Sequence, residues 1–247
     1  MNLFSGFVAI KCAMVDDDFA RAGWFVIIGG LFDMFDGIMA RLTNSSSEFG
    51  VELDSLADIV TFGVAPSAIL YKLFFYQYPG TGLLLAALPA MCGAIRLARF
   101  NVQLVGFDKD YFSGLPIPSA AILIISYVSY HHLQLPLAER ISDPLIFVVT
   151  AAASLLMVST IKYDTIPKPS KKNILAHPVK FAIYSIGVTL VFATRGSAIF
   201  PLFVLFVSYG IVRSVYQRIS RLLKERNASA LMDEDALEHE EESTFGI

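Results

Sequence analysis

Four aspartates, Asp33, Asp36, Asp54 and Asp58, fall within 26 residues, and strongly apolar sequence lies on both sides of them. On a helix Asp33 and Asp36 stand three residues apart, so they share a face roughly 4.5 Å apart along the axis. Asp54 and Asp58 stand four apart and share a face of a second helix. Asn44-Ser45-Ser46-Ser47 separates the two pairs, and such a turn-prone run can reverse the chain. The expected unit is a helical hairpin whose two pairs of carboxylates can face each other. In an apolar setting that arrangement is very unfavourable unless cations compensate it. Hard divalent cations take oxygen ligands, and four aspartates on two adjacent helices suit Mg2+ or Mn2+. Two such ions can clamp a diphosphate and neutralise charge as a phosphoryl group moves.

The residues between the aspartates fit a nucleotide. Gly37 removes a side chain next to Asp36, and Ala40 is small on the same stripe. Together they leave a groove where a flat base or a sugar can approach the backbone. Gly50 does the same four residues before Asp54. Arg41 offers a forked donor for a phosphate or a base edge. Asp58, one turn beyond Asp54, can share a metal and also take a proton from an incoming hydroxyl. Two other uses stay open at this point. Asp54 can cap a helix, although capping does not account for Asp33 or Asp36 in mid-helix. Intramembrane aspartates also line cation or proton paths in transporters.

The elements that position these residues are membrane helices. Of 247 residues 55% are hydrophobic and 17% charged, with a mean hydropathy of +0.60. A soluble domain carries about a quarter charged residues. The expected fold is an all-α integral membrane protein, a polytopic bundle of about eight transmembrane helices. The eight apolar segments run over about 3–15, 19–42, 51–76, 81–100, 117–130, 144–160, 179–194 and 198–217. The first is shorter than the roughly 20 residues that cross the hydrocarbon core. Met1 leads into Leu3-Phe4 without a basic leader, so no cleaved signal is expected. With an even number of spans, fourteen Lys and Arg residues lie on the side of both termini and four (Arg21, Lys72, Arg140, Arg195) on the other. The positive-inside rule then places both termini and the aspartate hairpin at the cytoplasmic face. Residues 1–220 form the membrane domain, and 221–247 a tail expected to be cytoplasmic and partly disordered. That tail holds seven acidic residues between Asp233 and Glu242 and no Lys or Arg there. Lys162 to Lys180 forms a basic connector suited to anionic headgroups. Cys12 and Cys92 lie in apolar segments and read as small packing residues.

The pattern Asp33-x2-Asp36-Gly37-x2-Ala40-Arg41-x8-Gly50-x3-Asp54-x3-Asp58 resembles, without a gap, the signature of the CDP-alcohol phosphotransferase family. The flanking segments Glu48 to Pro66, Arg96-Leu-Ala-Arg99-Phe-Asn101, Gly114-Leu-Pro-Ile-Pro118 and Leu156-Met-Val-Ser159 resemble the branch of that family that uses serine. The likeness runs from about Asn2 to about Lys168. Members have a longer start before the first span, and Asn2-Leu-Phe-Ser-Gly6 resembles the middle of it.

The resemblance implies transfer of the phosphatidyl group from CDP-diacylglycerol to L-serine, in phospholipid biosynthesis in a bacterial inner membrane. It implies two Mg2+ or Mn2+ ions on Asp33, Asp36, Asp54 and Asp58. It implies cytidine nucleotide binding by Asp33, Gly37, Ala40, Arg41 and Gly50, with Asp58 as general base. A homodimer is implied by analogy, and no nucleic-acid partner is expected. Glycerol 3-phosphate or inositol phosphate is the alternative acceptor. Arg96 and Arg99, three apart at the end of the fourth span, can pair with the serine carboxylate or the lipid phosphate; both can equally be anchors at the interface. Thr61, Ser67 and Asn101 are weaker candidates, and Tyr163 and Lys168 can belong to the headgroup wall. His131, His132, His177 and His239 have no metal-site spacing and read as ordinary surface residues.

Overall fold

The structure is a computed structural model that describes residues 1–43, 47–104, 112–133, 142–163, 178–194, 196–220 and 226. Asn44 to Ser46 of the turn, Arg140, Lys168, the rest of the basic connector over 164–177, Arg195, His177, His239 and the acidic run of the tail lie outside these residues.

Helices follow the apolar segments closely. Helix α1 is Asn2–Met14 and α2 is Phe19–Leu42. Helix α3 runs Glu48–Phe75 and α4 Thr81–Leu104. Helices α5 (Ile117–Leu133), α6 (Ser142–Val158), α7 (Pro178–Ala193) and α8 (Ile199–Ser220) follow. Four of them are long and apolar enough to cross a membrane, over Phe19–Met39, Glu48–Phe75, Thr81–Val102 and Ile199–Ser220. Helices α1, α5 and α6 are apolar but shorter. Large apolar side chains such as Phe4, Phe7, Trp24, Leu84, Val148 and Leu155 face outward, which suits lipid as a neighbour. The chain is a multi-pass membrane protein. By contacts it divides into two compact units, Met1–Val207 and Ser208–Ile247.

Local signals set the helix ends. Asp18 caps α2 by accepting from the Arg21 backbone N–H at 2.9 Å, and Ser47 caps α3 by accepting from the Gly50 N–H at 3.1 Å. Three ion pairs, Lys11–Asp16, Arg21–Asp18 and Lys72–Asp17, tie the α1–α2 turn together and to the far end of α3.

Helix α3 is not uniform. It is α-helical over Glu48–Asp58, π-helical over Ile59–Val64, α-helical over Ala65–Leu70 and π-helical again over Tyr71–Phe75. The first π turn begins immediately after Asp58. Pro66 lies just beyond it, and a proline lacks the N–H an α-helical ladder needs. The wider ladder lets the Ala65 N–H reach back five residues to the Val60 carbonyl.

In the first unit α1 packs along α2 and against the first π turn of α3. Helix α4 packs on that same turn and on α6, and α5 fills the space among α2, α4 and α6. Phe62, Ile69, Phe75, Ile124, Ile146 and Met157 are fully buried where they meet. Many contacts are set by small residues: a Cβ at Gly63 would lie 3.2 Å from the Ala90 Cα, and one at Gly93 would strike Ile117. Two short strands, β1 (Phe112–Ser113) and β2 (Lys162–Tyr163), pair antiparallel with Phe112 opposite Tyr163. Gly114 follows β1 with φ +85° and packs directly on the Met157 carbonyl, a place where only glycine fits without strain. Its N–H bonds Ile161, and the Leu115 N–H bonds the Leu156 carbonyl at 2.9 Å. The Gly114-Leu-Pro segment thereby closes the C-terminal end of α6.

Candidate active site

The α2–α3 hairpin brings three of the four aspartates together. Carboxylate oxygens of Asp33, Asp54 and Asp58 all lie within 4.8 Å of one another. Asp33 on α2 and Asp58 on α3 are half-buried, whereas Asp54 is exposed. Asp54 caps nothing, because Ser47 holds that role seven residues earlier in α3. Asp36, one turn along α2, lies outside the trio. Its side chain is exposed, and one oxygen lies 3.9 Å from the Met1 amino group.

Three carboxylates at this spacing repel each other, and no Lys or Arg is ion-paired with them among the described residues. A positive charge from outside the chain, a proton or a metal cation, relieves that repulsion. The donor set is all oxygen, without His or Cys, and so fits a hard cation of the Mg2+ class better than zinc.

The other residues singled out by sequence fall into two groups. Gly37 lies one turn after Asp33 on α2, and Gly50 one turn before Asp54 on α3. Among the described residues, a Cβ at Gly50 would meet only its own cap, Ser47 Oγ, at 3.2 Å. Ala40 and Arg41 lie in the last turn of α2. Arg96 is buried on α4, the helix that packs on the first π turn of α3, and its Nε has no hydrogen-bond partner among the described residues. A buried guanidinium with an orphan donor is costly on its own and is suited to an anionic ligand.

Arg99 differs, because its Nη1 donates to the Val158 carbonyl at 2.9 Å and so caps the end of α6. Asn101 donates to Ser55 Oγ at 3.0 Å and to Glu52 at 3.3 Å, bracing α4 against α3. The Ser67 hydroxyl accepts from the Ala90 N–H beside Pro89 at 3.3 Å, and so belongs to helix packing. Thr61 is fully buried in the π turn, with its hydroxyl on the Asn2 carbonyl at 3.0 Å. Tyr163 lies on β2, and His131 and His132 lie near the end of α5. Cys12 and Cys92 are both free thiols.

One residue at the site escaped sequence reasoning. Asn2 donates from Nδ2 to Asp58 Oδ1 at 2.8 Å. An amide opening an apolar helix was its only signal.

The chain is similar to known proteins of one family. The family described as CDP-alcohol phosphatidyltransferase matches residues 1–160, which include the whole hairpin and α4. The chain is 36% identical over 233 residues to the CDP-diacylglycerol–serine O-phosphatidyltransferase of Helicobacter pylori, covering 93% of each chain. It is 36% identical over 174 residues to the protein of that name from Bacillus subtilis, covering 70% of this chain and 90% of the relative. It is 35% identical over 170 residues to the archaetidylserine synthase of Methanothermobacter thermautotrophicus, covering 67% of each.

Proposed function

Because the chain belongs to the CDP-alcohol phosphatidyltransferase family, we propose that it transfers the phosphatidyl group of CDP-diacylglycerol to the hydroxyl of L-serine, giving phosphatidylserine and CMP. The observation that carries this reading is the meeting of Asp33, Asp54 and Asp58 in one all-oxygen group on a membrane hairpin. The names of its relatives supply the donor and the acceptor.

In this reading Asp33, Asp36, Asp54 and Asp58 hold two divalent cations, Mg2+ or Mn2+. When bound, these ions neutralise the diphosphate and the phosphate of the departing CMP. Asp33, Gly37, Ala40, Arg41 and Gly50 receive the nucleotide, with the backbone at Gly50 beside the base or sugar. Asp58 accepts the proton of the serine hydroxyl. The serine oxygen forms a bond to the phosphorus that carries diacylglycerol. The bond from that phosphorus to the CMP phosphate oxygen breaks, and CMP leaves with the electron pair. Arg96 pairs with the serine carboxylate or the lipid phosphate; its buried, partly orphaned guanidinium supports this. Arg99, three residues further along α4, has one donor committed to α6 and serves mainly to hold that helix end.

The setting completes the proposal. All eight apolar helices belong to a membrane domain over residues 1–220, and residues 221–247 form a cytoplasmic tail. Both termini and the site face the cytoplasm of a bacterial inner membrane, and the protein works as a homodimer. The test is purified protein with CDP-diacylglycerol, Mn2+ or Mg2+, and each candidate alcohol in turn. CMP release that depends on serine is the expected result. Release only with glycerol 3-phosphate or an inositol phosphate would transfer the assignment to that acceptor. Ion flux in liposomes without any CMP would remove the enzyme reading.

A further inference from the structure

Asn2 starts α1 from inside the protein. The residue is 3% exposed. Its Nδ2 donates to Asp58 Oδ1 at 2.8 Å, and its backbone carbonyl accepts from the Thr61 hydroxyl at 3.0 Å. Its own Oδ1 has no hydrogen-bond partner among the described residues. Glycines let three elements close around it. A Cβ at Gly29 of α2 would lie 3.1 Å from Asn2 Oδ1 and 2.5 Å from Thr61 Cγ2, and one at Gly6 would lie 2.5 Å from Thr61 Oγ1. The start of α1, the middle of α2 and the first π turn of α3 therefore lock on one asparagine.

We infer that Asn2 is a positioning residue for Asp58, holding one carboxylate oxygen so that Asp58 keeps the rotamer in which it joins Asp33 and Asp54. The inference rests on the role proposed for Asp58. An ionised carboxylate only accepts, so the partner must donate, and the amide NH2 is the end of Asn2 that can. A neutral donor suits this place. Lys or Arg would orient Asp58 equally well but would also pair with it and compete with a cation. The anchor is held in turn by Thr61, three residues beyond Asp58. The π turn thus ties the carboxylate and its orienting amide to the same few residues of α3.

The test uses the full chain with Asn2→Leu and Asn2→Val, which put an apolar side chain in place of the amide and lose the donor. Removing an outer partner of a ligating side chain typically costs about 10–100-fold. The expected result is a fall of that size in kcat, with KM for CDP-diacylglycerol and for serine within about threefold of wild type, the pattern of an interaction that matters in the transition state. Wild-type kcat, or a raised KM at unchanged kcat, would overturn the inference. If both variants fail to fold, Thr61→Val decides. It releases the Asn2 carbonyl while keeping the amide, so a several-fold loss of kcat at constant KM supports the inference and wild-type turnover overturns it. Asp58→Asn is run alongside. Wild-type turnover there would remove the base role of Asp58 itself, whereas an inactive Asp58→Asn beside a fully active Asn2→Leu would remove only the inference about Asn2.

Discussion

At the scale of single residues, spacing along the chain is enough to nominate the aspartates, because i,i+3 and i,i+4 neighbours share a helix face whatever the fold. It does not separate Arg96 from Arg99. Both lie on α4, and only the chain across from them tells them apart: the Val158 carbonyl takes Arg99, while Arg96 keeps an orphan Nε in the interior. Asn2 was illegible for the same reason, since 56 residues separate it from Asp58. Two predictions belong here. Asp36→Asn and Asp58→Asn should both abolish turnover, but Asp58→Asn should keep Mn2+-dependent binding of the nucleotide better, as calorimetry would record. Equal loss of binding would argue against a dedicated base. Arg96→Gln should raise KM for serine by about 10–100-fold, the worth of a charge-assisted hydrogen bond, whereas Arg99→Gln should mainly lower the thermal midpoint. The opposite pattern in steady-state kinetics would exchange their roles.

At the scale of elements, helix positions were legible from apolar runs, and the caps Asp18 and Ser47 sit where short polar residues precede those runs. The two π turns were not legible. Within the first turn Thr61 reaches α1, and Gly6 and Gly29 let three backbones come close. Pro66 was the one hint in the sequence, since its missing N–H has to be absorbed nearby. The docking of Gly114-Leu-Pro-Ile-Pro118 was likewise hidden, although the motif was plain. Its glycine is needed for a positive φ and for contact with the Met157 carbonyl. Gly114→Ala should therefore lower stability by about 1–3 kcal/mol, the usual scale of such backbone strain. Thermal unfolding in detergent measures this, and an unchanged midpoint would show that the segment docks loosely.

At the scale of the whole molecule, composition alone excluded a soluble domain, and the asymmetry of Lys and Arg supplied an orientation that helix lengths do not. With Cys12 and Cys92 replaced, a cysteine at Tyr78 should react with an impermeant thiol reagent from outside the cell, and one at Thr43 should react only after lysis. Reversed accessibility would invert the proposed topology. In the proposed orientation, a cytoplasmic site would give the carboxylate group access to serine from water and to CDP-diacylglycerol from the bilayer. That shared access is what the central claim requires: direct transfer at the Asp33–Asp58 hairpin. Single-turnover mixing of the cation-loaded protein with radiolabelled CDP-diacylglycerol tests it most directly. CMP and phosphatidylserine should appear together, one for one, only when serine is present and never in excess chelator; a burst of CMP before serine is added would contradict direct displacement and the place given to Asp58.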